Sequence, residues 1–121
     1  MVRKLSAGLP NDMETQEGSR LYLEWHGQTV CLTPADTLTL GSSPQAEFKV
    51  RGDFVSRMHA LIRSRRQYFI LEDSSTNGTY LQSEDQRVKL VHRQSERLWG
   101  TGWLSFGEPL NEDNAIRYRY G

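Results

Sequence analysis

Residues Phe54 to Tyr80 read FVSRMHALIRSRRQYFILEDSSTNGTY, and this stretch decides the fold. It holds two strand-like runs, each flanked by small polar residues. In the first, Ala60, Ile62 and Ser64 alternate with Leu61 and Arg63, a period of two that leaves the inner face undecided. In the second, Tyr68-Phe69-Ile70-Leu71 is rich in aromatic and β-branched residues and ends in acids. Arg65-Arg66-Gln67 turns one run back on the other. The first run follows Ser56-Arg57-Met58-His59, and the second leads into Ser74-Ser75-Thr76-Asn77-Gly78-Thr79. Polar loops carried by rigid strands are how a sheet protein builds a recognition edge. Arg51, Arg57, Arg63, Arg65 and Arg66 crowd the first half, which points to an anion, in particular a phosphate.

The same pattern extends in both directions. Leu21, Leu23 and Trp25 alternate with Tyr22, Glu24 and His26, and Gly27-Gln28 then reads as a tight turn into Thr29-Val30-Cys31-Leu32. Leu38-Thr39-Leu40 is a short strand ending at Gly41. Ser42-Ser43-Pro44 opens a loop, since a residue before proline avoids helix. Phe48 and Val50 mark another strand, Val88, Leu90 and His92 a further one, and Ala115 to Tyr120 the last. Gln94 to Arg97 is simply polar. Trp99 and Trp103, among glycines, take the default reading of core aromatics. No helical stripe runs over ten residues. Many short strands with glycine-rich turns predict an all-β sandwich or barrel.

The chain has 121 residues, enough for one domain. Residues 1–18 lack apolar periodicity and read as a flexible tail or linker, with a single domain over 19–121. Net charge is zero, so nothing demands bulk attraction to nucleic acid, and the arginines have no stacking residues beside them on a defined motif. The charge is nevertheless segregated. Residues 41–66 carry Lys49 and five arginines against Glu47 and Asp53, while 67–86 carry four acids and no base. The lone cysteine, Cys31, excludes an internal disulfide and reads as a buried small hydrophobe. With no signal-peptide pattern and no membrane-length apolar run, a cytoplasmic location is expected.

Ser56 offers a hydroxyl and a backbone N–H, donors that suit a phosphate, and Arg57 adds a planar fork of charge. Asn77 both donates and accepts through its amide and is suited to holding a peptide backbone, with Thr76 adding a hydroxyl. Taken alone, Asn77-Gly78 is only a turn and Ser56 only a loop cap. His59 has no acid or cysteine at metal-ligand spacing; it reads as a structural histidine that hydrogen-bonds the two loops together. An enzyme finds little support. No nucleophile–base pair is apparent, Glu72 and Asp73 are adjacent on a strand end and face opposite ways, and Gly100-x-Gly102 precedes no helix. No cofactor or metal site is expected.

Together, Gly41, Ser56-Arg57-x-His59 and Asp73-x-Ser75-Thr76-Asn77-Gly78-Thr79 resemble the forkhead-associated (FHA) domain family, over about Leu21 to Tyr120. The resemblance implies a β-sandwich of about eleven short strands in two twisted sheets that binds phosphothreonine peptides through loops at one end. It implies that Ser56 contacts the phosphate, Arg57 helps hold the phosphopeptide and Thr76 lines the phosphothreonine pocket. Asn77 would hydrogen-bond the peptide backbone, and His59 would brace the loops. Gly41 matches the glycine ending an early strand, and Gly78 and Thr79 match the turn beyond Asn77. Ser42 stands where the family usually has an arginine gripping peptide and phosphate. Loss of such a desolvated charged hydrogen bond costs about 2–5 kcal/mol, enough to turn a micromolar site into one barely measurable. Arg57 is the best candidate to supply the missing charge, ahead of Arg51 and Arg63.

Leu90 to Gly107 is similar to bacterial FHA domains, some of them fused to nucleotide cyclases or other signalling modules. The leading expectation is a non-catalytic phosphothreonine-peptide reader in intracellular signalling, with a phosphorylated protein as partner and no nucleic acid or membrane. The alternative, favoured by Ser42, is a phospho-independent interaction or dimerisation domain on the same scaffold.

Overall fold

The computed structural model describes residues 20–84 and 86–121. The tail expected over 1–18 lies outside them. Eleven strands form two sheets: β1 (Leu21–Trp25), β2 (Gln28–Leu32), β3 (Thr37–Gly41), β4 (Phe48–Lys49), β5 (Ala60–Arg65), β6 (Tyr68–Asp73), β7 (Thr79–Ser83), β8 (Lys89–Val91), β9 (Ser95–Arg97), β10 (Thr101–Phe106) and β11 (Ile116–Tyr120). One sheet has the order β2-β1-β11-β10-β7-β8 and the other β4-β3-β5-β6-β9. The pairings are antiparallel except β3 with β4. The described residues contain no helix, and the all-β sandwich expected from the alternating pattern is the fold observed.

Period-two alternation sends every second side chain inward. Leu21 and Leu23 of β1, Leu81 of β7, Leu104 and Phe106 of β10 and Ile116 and Tyr118 of β11 form one wall of the core. Leu38 and Leu40 of β3, Ala60 and Ile62 of β5 and Phe69 and Leu71 of β6 form the other. The open question in β5 is thus settled toward Ala60 and Ile62. The phenol of Tyr118, deep in the core, is satisfied by Ser83 Oγ and by the Trp99 carbonyl at 3.0 and 2.8 Å.

Several expectations are corrected. Cys31 is exposed, because β2 is an edge strand whose inward positions are Val30 and Leu32. The first hairpin turns on His26-Gly27, both with positive φ (45° and 82°), so Gln28 already pairs with Trp25. Ser95–Arg97 is a strand despite its polarity: backbone pairing to β6 forms it, at a sheet edge where no apolar face is needed. Thr79 belongs to β7 rather than to the preceding turn. Trp99 is 52% exposed, with the Arg97 guanidinium 3.6 Å above its ring, and Trp103 is half-buried on the outer face of β10. Their large apolar rings are covered by arginines rather than by core (Arg117 lies 6.0 Å from Trp103).

Candidate functional site

Three loops meet at one end of the sandwich: residues 42–47 after β3, 50–59 before β5 and 74–78 between β6 and β7. The first two are stitched by backbone hydrogen bonds, Ser42 N–H to Ser56 O and Ser43 N–H to Arg57 O, both 3.0 Å. Gly41 permits that approach. A Cβ there would lie 2.1 Å from the Arg57 carbonyl oxygen and 2.9 Å from the His59 nitrogen, inside contact with rigid backbone. The third loop joins them through Thr76 N–H to Ser56 Oγ at 3.1 Å and Asn77 Nδ2 to Phe54 O at 3.2 Å.

His59 ties the loops together from below. It is fully buried and stacks on Phe106, with ring centroids 4.4 Å apart and planes at 8°. The Ser56 N–H donates to its Nδ1 at 3.0 Å, so Nδ1 is the acceptor nitrogen. Nε2 then carries the proton and donates to Gly78 O at 2.8 Å. Burial holds the imidazole below its usual pKa, opposed by the Gly78 hydrogen bond and by the nearby Asp73 carboxylate. Neutral His59 thus links Ser56 directly to Gly78, whose own φ of 88° suits glycine.

Asp73 organises the third loop and was not assigned a role from sequence. Its buried carboxylate accepts from the Ser75 N–H and hydroxyl, the Thr79 hydroxyl at 2.7 Å and the Arg93 N–H at 2.9 Å. Burial pushes its pKa up, but these hydrogen bonds outweigh burial and hold it below the ordinary carboxylate value. Ser75, also buried, accepts the Gly78 N–H on its Oγ at 2.7 Å. Arg93 adds a bond from Nε to Ser75 O at 3.1 Å. An aspartate closing an apolar strand with serine two residues on is an Asx-turn signal, and it marks Asp73 and Ser75 in the sequence. Nothing local marks Arg93, which reaches this loop from beyond β8.

The expected site residues are therefore placed as follows. Ser42, Ser56, Arg57, Thr76 and Asn77 lie on the three converging loops, with Gly41, His59 and Gly78 beneath or between them. Ser42, Arg57, Thr76 and Asn77 are exposed and Ser56 is half-buried. The Ser56 hydroxyl accepts from the Thr76 N–H, and among the described residues its own proton meets no acceptor. Among the described residues, the Asn77 carbonyl oxygen accepts no hydrogen bond and the Arg57 guanidinium has neither hydrogen bond nor ion pair. Ser42 Oγ donates to Val55 O at 3.4 Å and brings no positive charge. Two other arginines do not join this group. Arg63 is paired with Glu72 at 2.6 Å midway along β5, and Arg51 lines a separate cleft with Trp25, Lys49 and Asp113. Among the described residues no cluster of His, Cys, Asp and Glu is arranged to hold a metal.

These loops, on an eleven-stranded sandwich, define the class. The FHA domain family model matches residues 38–99, about half of the chain, and the chain belongs to the FHA domain family. Its fold is shared by the FHA-1 domain of Rv1747 from Mycobacterium tuberculosis, with 21% identity, 84% of this chain and 96% of that one covered, and a TM-score of 0.66. The MEK1 FHA domain, solved in complex with a HOP1 phosphothreonine peptide, is 16% identical over 85% of this chain and 98% of that one, with a TM-score of 0.67. A domain solved in a study of phosphothreonine-dependent FHA domain interactions is 24% identical over 85% and 98%, with a TM-score of 0.65. No curated protein matches the chain.

Proposed function

We propose that this FHA domain is a non-catalytic reader of phosphothreonine peptides in intracellular signalling. The observation that carries this reading is the convergence of Ser56, Thr76 and Asn77 with the exposed Arg57, on loops locked by His59. Ser56 and Arg57 supply a hydroxyl donor and an exposed guanidinium for a phosphate, and Asn77 supplies a carbonyl and an amide for an extended peptide. A site already braced by hydrogen bonds pays less ordering entropy on binding. A cytoplasmic setting, and a place beside a nucleotide cyclase or other signalling domain in a longer chain, belong to the same reading.

Ser42 favours a second reading, in which the scaffold serves a phospho-independent protein contact. One titration decides between them. The folded domain is titrated with a degenerate phosphothreonine peptide library and its unphosphorylated counterpart, by calorimetry or NMR. Binding that needs the phosphate and weakens in Ser56→Ala supports the reader. Equal binding of both libraries, or none, overturns it.

A further inference from the structure

Five large apolar side chains are exposed among the described residues: Phe54, Met58, Val88, Leu90 and Trp99. Phe54 is tied to the candidate phosphopeptide site by the Asn77 side chain. Its carbonyl accepts the Asn77 amide at 3.2 Å, and it stands two residues before Ser56. On its other side Gly107, at the end of β10, is packed so closely that a Cβ there would lie 2.8 Å from Phe54 Cβ and 2.1 Å from its carbonyl oxygen. The Phe54 backbone is therefore held between Asn77 and Gly107. Even so, the residue remains 50% exposed. A phenyl left in water on a fixed backbone, beside groups suited to a peptide main chain, is the arrangement of a side-chain subsite.

Taking the phosphothreonine reading as its basis, we infer that the peptide this domain selects carries an apolar side chain near its phosphothreonine, packed on Phe54. Charge argues the same way. An acidic flanking residue would meet the negative face of a phenyl ring here, with the acid Asp53 beside it in the chain. An aliphatic or aromatic residue instead removes apolar area of both partners from water. Because Asn77 both holds Phe54 and faces the ligand, one peptide can engage the backbone-binding amide and the phenyl together.

The test is a positional library in which phosphothreonine is fixed and each flanking position is varied in turn, read on the wild-type domain, Phe54→Ala, Phe54→Leu and the distant control Val88→Ser. One flanking position should prefer Leu, Ile, Met or Phe over Asp, Lys or Ser by about tenfold, equivalent to about 1.4 kcal/mol. Phe54→Ala should abolish that preference while phosphate-dependent binding persists. Phe54→Leu should retain most of it, and Val88→Ser all of it. Circular dichroism establishes that each variant is folded. Phosphate-dependent binding with no apolar preference, or with one unchanged in Phe54→Ala, overturns the inference and leaves the phosphothreonine reading standing. Loss of phosphate-dependent binding in wild type overturns both.

Discussion

Removing the His59 ring should be among the costliest single changes in this domain. The side chain is fully buried, stacked on Phe106 and hydrogen-bonded at both nitrogens. His59→Ala opens a cavity over Phe106. Truncating a buried aromatic typically costs about 3–5 kcal/mol, and the smaller imidazole belongs at the low end, about 3 kcal/mol. The Ser56 N–H loses its acceptor, which adds about 1–3 kcal/mol for a donor left unsatisfied. Gly78 O still receives the Gly107 N–H at 2.9 Å, so its share is small. The sum is about 4–6 kcal/mol, a large part of the 5–15 kcal/mol that holds a typical domain together. Equilibrium urea unfolding measures it as a fall in midpoint with the slope unchanged. His59→Phe refills the cavity and keeps the stack, so it should recover most of the packing contribution and still lose the Ser56 bond. A loss below about 1 kcal/mol in His59→Ala would refute the view that this histidine joins the loops.

Three further outcomes are expected. Stability should fall in two stages on acidification, because both His59 and Asp73 have folded pKa values below their ordinary ones. The unfolded chain binds the extra proton first: His59 contributes a loss as pH drops below about 6.5, and Asp73 a second loss below about 4. Urea midpoints measured against pH should show both, and His59→Phe should remove the upper one. Gly41→Ala forces a Cβ against the Arg57 carbonyl and the His59 nitrogen, so it should destabilise by about 1–3 kcal/mol and weaken peptide binding, as unfolding and titration would report. Ser42→Arg places a guanidinium beside the Ser56 loop and should tighten phosphopeptide binding at least about tenfold by calorimetry; an unchanged Kd would mean that Arg57 already supplies the charge.

Much of the molecule was legible in its sequence, and for local reasons. Strands announce themselves by period two, so β1, β3, β5 and β11 follow from which residues alternate, and β6 from its run of aromatic and β-branched residues. The sandwich follows because short amphipathic strands with no helices can bury their faces only against one another. The polar loops at Ser56 and Asn77 were visible as clusters of small donors and turn formers between strands. Alternation, however, reports two faces without saying which is covered. That choice depends on how the strands are assembled: Cys31 lies on the outer face of an edge strand, and Trp99 has Arg97 rather than core over its ring. β9 carries no apolar signal, since only pairing to β6 makes it a strand.

By itself, the sequence determined the alternation, the turns and the chemistry available at Ser56, Arg57, Thr76 and Asn77. Tertiary structure decided which of those groups meet. Ser56 and Thr76 are twenty residues apart and touch through one hydrogen bond, while His59 spans from Ser56 to Gly78 and Asp73 gathers Ser75, Thr79 and Arg93. Such contacts form only once the sandwich brings the strand ends together and takes the polar groups between them out of water. An unpaired donor or carboxylate is then costly, and the network closes as a unit.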